Sequence, residues 1–170
     1  MSRTVSAALR RATYAQQTGE VPVLLVTFDH EDLDTPRRVS SDPTQRVEVS
    51  DRIVYGTVSR GLTFYYAPFE LALPSDQEDA APRTRVRIDA TDQALVDALR
   101  ALVSPVQVTM EVVLASSPDL VEAETAAFDL VDVSYSAVKL EGELVLDALT
   151  REPFPAMRFD PARAPGVFRG

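Results

Sequence analysis

Cysteine and tryptophan are both absent from the 170 residues, and histidine occurs once, as His30. Without cysteine the chain has no disulfide, no thiolate nucleophile, no Cys-ligated zinc and no iron–sulfur cluster. The lack of tryptophan removes the side chain best suited to stacking on sugars. Only six glycines are present, and neither a P-loop nor a dinucleotide-binding fingerprint can be found. No apolar run approaches the ~20 residues needed to cross a bilayer. The opening MSRTVSAALRRATYAQQTGE has basic residues but no continuous apolar stretch of the signal-peptide kind. Any Ser-His-Asp or Cys-His arrangement would have to centre on His30, and no nucleophile elbow accompanies it.

What is present describes one globular domain. Hydrophobic residues make up 45% and charged residues 25%, enough apolar material at this length for a sizeable core. The formal charge is −9, from 17 basic and 26 acidic residues. Such a surface repels phosphate backbones and anionic membranes. It does not prevent the chain from sitting near DNA without gripping it. Around His30, the residues Asp29, Glu31, Asp32 and Asp34 look like ligands, but their spacing fits no calcium loop and reads as a solvated loop. With so many carboxylates, pairs arise by chance, and two-carboxylate hydrolysis has no distinctive signature here. No catalytic residue, cofactor or metal site can be assigned.

Taken in order, residues 4–17 read as a helix with Val5, Leu9 and Ala12 on one side and Arg3, Arg10 and Arg11 around the rest, stopping near Gly19. Its apolar stripe is thin, so it needs a partner surface in this subunit or a neighbour. Residues 21–28 (VPVLLVTF) form a strand that is apolar on both sides and buried on both, with Pro22 at its start or on an edge. Short strands fit at 38–41, 46–49 and 52–58, punctuated by Asp42-Pro43, Ser50-Asp51 and Arg60-Gly61.

Residues 65–73 place Tyr65, Ala67, Phe69, Leu71 and Leu73 on one face at period two, with Pro68 marking a bulge or an edge. The acidic SDQEDAAP is a loop. Thr84, Val86 and Ile88 alternate with Arg83, Arg85 and Arg87, and Thr91 or Asp92 caps a helix striped by Leu95, Val96, Leu99, Leu102 and Val103. Val106, Val108, Met110, Val112 and Leu114 alternate again, followed by a turn at Ser116-Ser117-Pro118-Asp119. Strands close the domain at 126–135 and 138–146. The fold expected is mainly β, a mainly antiparallel sandwich or barrel with one packed helix and an N-terminal helix, over residues 1–150. Residues 151–170 (REPFPAMRFDPARAPGVFRG) have no regular period and read as an extended arm. Phe154, Phe159 and Phe168 ought to dock on this subunit or the next, and Arg158 and Arg163 suit an acidic neighbour. With Leu9 of the N-terminal helix, these are the candidate oligomer-interface residues.

YAPFELALP, RVRIDATDQALVDALRAL, VTMEVVLASSPDLVE and the ending EPFPAMRFDPARAPGVF, in this order and spacing, resemble an uncharacterised family of minor tail proteins. Such proteins are encoded in the tail modules of long, non-contractile-tailed (siphovirus-type) bacteriophages. The opening ALRRATYAQQTGEVPVLLVTFDH extends the likeness over nearly the whole chain. The resemblance implies a structural, non-enzymatic part of the virion's tail tip or baseplate, assembled in the host cytoplasm and similar to distal tail proteins with a tail-tube-like β domain. It implies a homo-oligomeric ring, six-fold before three-fold, whose neighbours are the tail tube, the hub or tail-fibre proteins and the tape-measure protein. DNA would pass through without being specifically bound, and no membrane is involved. A trimeric hub component, a tail assembly factor and a tip-associated hydrolase stay open as alternatives.

Overall fold

The computed structural model describes residues 5–49, 53–71, 83–89, 93–125, 127–136 and 139–146. Its elements are α1 (Ala7–Tyr14), β1 (Pro22–Asp29), β2 (Arg37–Ser40), β3 (Gln45–Val49), β4 (Ile53–Ser59), β5 (Leu62–Tyr66) and β6 (Phe69–Leu71). They continue with β7 (Arg83–Asp89), α2 (Gln93–Arg100), β8 (Val106–Leu114), β9 (Ser117–Glu124), β10 (Phe128–Tyr135) and β11 (Lys139–Val145). The strands form one sheet in the order β3-β4-β5-β2-β1-β8-β10-β11-β7-β6, with β9 added on β8. The sheet is mixed, and it curls into a half-barrel.

β1 and β8 are its spine. They pair antiparallel over their full shared length, from Pro22–Leu114 to Asp29–Gln107. β1 is buried on both faces, as its unbroken apolar run requires, and Pro22 stands at its first position, where no ladder donor is needed. Val26 and Phe28 face the larger core, with Val39, Val86, Ile88, Val108, Met110, Leu130, Leu140 and Leu144. Val23 and Leu25 face a smaller core with Phe64, Val113 and Val121.

The larger core fills the concave side. The alternation of β7 and β11 delivers Thr84, Val86, Ile88, Leu140 and Leu144 inward, and leaves Arg85 and Arg87 outside. There Arg87 meets Glu141 at 3.2 Å and Glu70 at 3.7 Å, and Arg85 meets Glu143 at 3.8 Å. α2 seals this side with Val96 and Leu99, while the Tyr135 hydroxyl donates to the Leu99 carbonyl at 3.1 Å. Arg100 lies over the Tyr135 ring, 5.3 Å from its centre. Burial raises the Tyr135 phenol above its ordinary pKa, with Arg100 acting weakly against it.

The smaller core is capped by the β4–β5 hairpin. Its two-residue loop puts both Arg60 (φ 50°) and Gly61 (φ 75°) in the left-handed region, the geometry that matches strand twist. Arginine is disfavoured there by roughly 1–2 kcal/mol, and side-chain contacts offset this. Asp119 accepts the Arg60 backbone N–H at 2.5 Å, and Glu111 takes the guanidinium through two hydrogen bonds of 2.9 and 2.5 Å. The bond to Glu111 holds the guanidinium still more firmly protonated, against a smaller opposing effect of burial.

Three expectations need correction. Residues 65–73 are not one strand: β5 pairs with β4 and β2, whereas β6 pairs with β7. The chain crosses between the two at Ala67-Pro68, held by Ala67 N–H to Ser40 O and Asp89 N–H to Pro68 O. Ser117-Pro118-Asp119 is no turn but the start of β9. Val103 is 99% exposed, because α2 ends at Arg100 and the helical period ends with it. The sheet is mainly antiparallel, as expected, with β2 and β5 running parallel.

Candidate functional site

Three features outside the cores carry chemistry. The first is the single histidine. The His30 side chain is only 4% exposed, so its loop is not simply solvated. Its Nδ1 accepts the Asp32 backbone N–H at 3.0 Å, and its Nε2 lies 2.6 Å from the Ser104 hydroxyl. A nitrogen that accepts carries no proton, so Nε2 is the protonated nitrogen of the neutral ring and donates to Ser104. A serine nucleophile needs the reverse, with Nε2 accepting the hydroxyl proton and Nδ1–H anchored by a carboxylate. The pair therefore ties the β1–β2 loop to the segment before β8. Asp29, Glu31, Asp32 and Asp34 are exposed, with the Asp32 carboxylate 3.7 Å from His30 Nδ1, and among the described residues no three metal-ligating side chains converge.

The second feature is the mounting of α1. Ser6 caps the helix, its Oγ accepting the Leu9 N–H at 3.1 Å, and donates its own N–H to Glu122 at 2.7 Å. Glu122 lies on β9 and is 4% exposed. Its second oxygen has no hydrogen-bond partner among the described residues. The carboxylate thus sits against the positive end of the helix, where negative charge is stabilising. Beyond that tether α1 buries no residue. Leu9 is half-buried, while Tyr14 is 85% exposed beside an apolar hollow formed by Ala7, Arg10, Arg11 and Ala15. An eight-residue helix with so little covered surface is marginal in water.

The third is the groove between β2 and β5, bounded by Arg37, Arg38, Leu62 and Tyr65. The hairpin above it also exposes Ile53, Tyr55 and Val58.

A family model, described as a domain of unknown function, DUF1833, matches residues 8–159. The chain belongs to the DUF1833 family. The match spans most of the length, from α1 into the C-terminal segment, so both cores, the His30 loop and the groove of this DUF1833 chain lie inside it, and the α1 mounting does so except for its cap at Ser6 and the first helical residue, Ala7. No curated protein matches the chain.

Of the interface residues expected from sequence, Leu9 lies on α1, as anticipated. Phe154, Phe159, Phe168, Arg158 and Arg163 lie outside the described residues. Glu122 and the His30–Ser104 pair were missed. Their partners are 116 and 74 residues away in the chain, and no local pattern announces either. Arg38 opens the strand expected at 38–41, and nothing in the sequence set it or Arg37 apart as one wall of a groove. Among the described residues no helix is long and apolar enough to cross a membrane.

Proposed function

We propose that this DUF1833 chain is a structural component of a phage tail tip, a distal tail protein whose copies form a ring around the DNA channel between tail tube and central hub. The observation that carries the reading is α1, a helix pinned at its first turn by Glu122 and presenting its remaining surface outward. Such an element acquires its stability from a neighbour. The mainly β domain with a helix in its concave side is compatible with a tail-tube-like subunit, and the resemblance of the sequence points the same way. The mechanism involves no turnover. It is burial of interface multiplied by symmetry, six-fold before three-fold. The charge of −9 lets DNA pass without adhering.

Gold-labelled antibody on intact particles tests the reading. Label confined to the tail tip supports it. Particles without label, with the chain absent by mass spectrometry, would replace it with an assembly factor.

The His30–Ser104 pair is where a hydrolase reading would start. His30→Ala removes two hydrogen bonds and is expected to cost about 2 kcal/mol, a fall of roughly 4–8 °C in Tm at this chain length. Plaque titre at permissive temperature should be unchanged. A titre lost while the protein remains folded would restore the enzyme.

A further inference from the structure

Among the described residues, the N-terminal arm is hydrogen-bonded to the β domain at its two ends and nowhere between them. At its start the Ser6 N–H donates to Glu122 at 2.7 Å. Beyond α1 the chain is fixed again only at Glu20, whose carboxylate accepts the Ser116 hydroxyl at 2.6 Å, and at Val21, whose carbonyl accepts the Ala115 N–H at 2.9 Å. Residues 15–19 (AQQTG), which join α1 to that point, are all exposed, and their hydrogen bonds stay within the arm. Val5, Leu9 and Ala12 are half-buried, but none of them is inside.

Glu122 is held ready for this contact by an irregularity in its strand. Val112 pairs with Ala123 and Val113 with Val121, so the ladder passes over Glu122. An extra residue of this kind turns a side chain off the regular alternation, and Glu122 ends 4% exposed. A covered carboxylate is costly unless both oxygens are matched. Here one oxygen takes the Ser6 N–H at the positive end of α1, and the other has no partner. Closing the arm makes one charge-assisted bond and strips water from the second oxygen, while opening it returns that water. The two effects oppose each other, so the closed arm is only lightly held.

We propose that Glu122 is a latch, and that α1 with residues 15–19 is an arm that opens there while the β domain stays folded. Closed, the arm withholds the stripe of Val5, Leu9 and Ala12. Open, it swings from Glu20, and a helix of eight residues released in this way is marginal until another surface covers it. Local opening of this kind is drawn from the least buried parts of a fold, and α1 with its exposed connection is such a part. The latch deepens the ring reading and rests on it only for what the open arm meets.

The test is native-state hydrogen exchange of the full chain, read at the amides of residues 9–15 and at those of β1 and β8. In wild type the arm should exchange at least roughly a hundredfold faster than the two strands, which open only with the whole domain. Glu122→Ala should speed the arm by a further threefold to tenfold, roughly the loss of one such bond, and leave β1 and β8 unchanged. Ser6→Pro removes the donor and suits the Ser6 φ of −61°, so it should open the same arm. It also takes away the cap, and Glu122→Ala therefore decides. Glu124→Ala, an exposed carboxylate two residues on, is the control and should leave the arm as it is. An arm as slow as the strands, a Glu122→Ala protein whose arm is unchanged or whose strands loosen with it, or a control that acts like Glu122→Ala overturns the proposal. A separable arm without label at the tail tip would sink the phage reading and leave the latch standing. Tip label with an arm as protected as the strands would do the opposite.

Discussion

Leu99→Asp is expected to leave the chain unfolded at room temperature. Leu99 is 1% exposed in the larger core, on the face of α2 that closes the half-barrel. Truncating a buried leucine costs about 2–5 kcal/mol, and an unpaired carboxylate there adds several more unless it takes up a proton. Together these reach the whole stability of an ordinary domain, about 5–15 kcal/mol. The control lies four residues on. Val103→Asp falls on a side chain that is 99% exposed and should change stability by less than about 0.5 kcal/mol. Chemical denaturation followed by circular dichroism separates the two. A Leu99→Asp protein with a normal transition would mean that α2 does not pack where it is drawn.

That contrast also shows how far local pattern could be trusted. Leu99 and Val103 both belonged to one apolar stripe at helical spacing, and only Leu99 is inside. Periodicity marks a face for as long as the helix lasts, and α2 ends at Arg100. Where an element is long and regular the reading was accurate. β7 and β11 bury the alternating residues that the sequence marks, and β1 is buried on both sides; β8 keeps the alternation at Val106, Val108 and Met110, but further on Val112 is half-buried and its neighbour Val113 is buried instead.

Tertiary contacts defeated the rest. Pro118 and Asp119 look like a turn, yet they start β9, because Ser59 donates to the Pro118 carbonyl at 2.7 Å and Asp119 holds Arg60. His30 sits among carboxylates and reads as solvated, yet its side chain is covered and its ring meets Ser104, which follows α2 in the chain. Both cases hinge on a partner distant in sequence, and so does the Glu122 tether. The mainly β class was legible; the way the sheet curls, with β6 at one end of its strand order and β5 third from the other, was not.

Gly56→Ala should have the second largest effect, through backbone rather than side-chain packing. Gly56 faces Tyr65 across the β4–β5 hairpin. A Cβ added there would come far too close to the Phe64 carbonyl oxygen and would also press on the Tyr65 Cα. A carbonyl in a paired strand cannot swing aside as a side-chain tip can, so the hairpin must open. Opening it withdraws Phe64 from Val23, Leu25 and Val113 in the smaller core. A loss of about 3 kcal/mol is expected, the upper range for overpacking, and at this length Tm should fall by roughly 6–12 °C. Gly19→Ala adds the same methyl where nothing lies within 4 Å, and should be neutral or stabilise by up to about 1 kcal/mol. Equal melting of the two alanine variants would mean that the hairpin is not held against the smaller core by the close approach at Gly56.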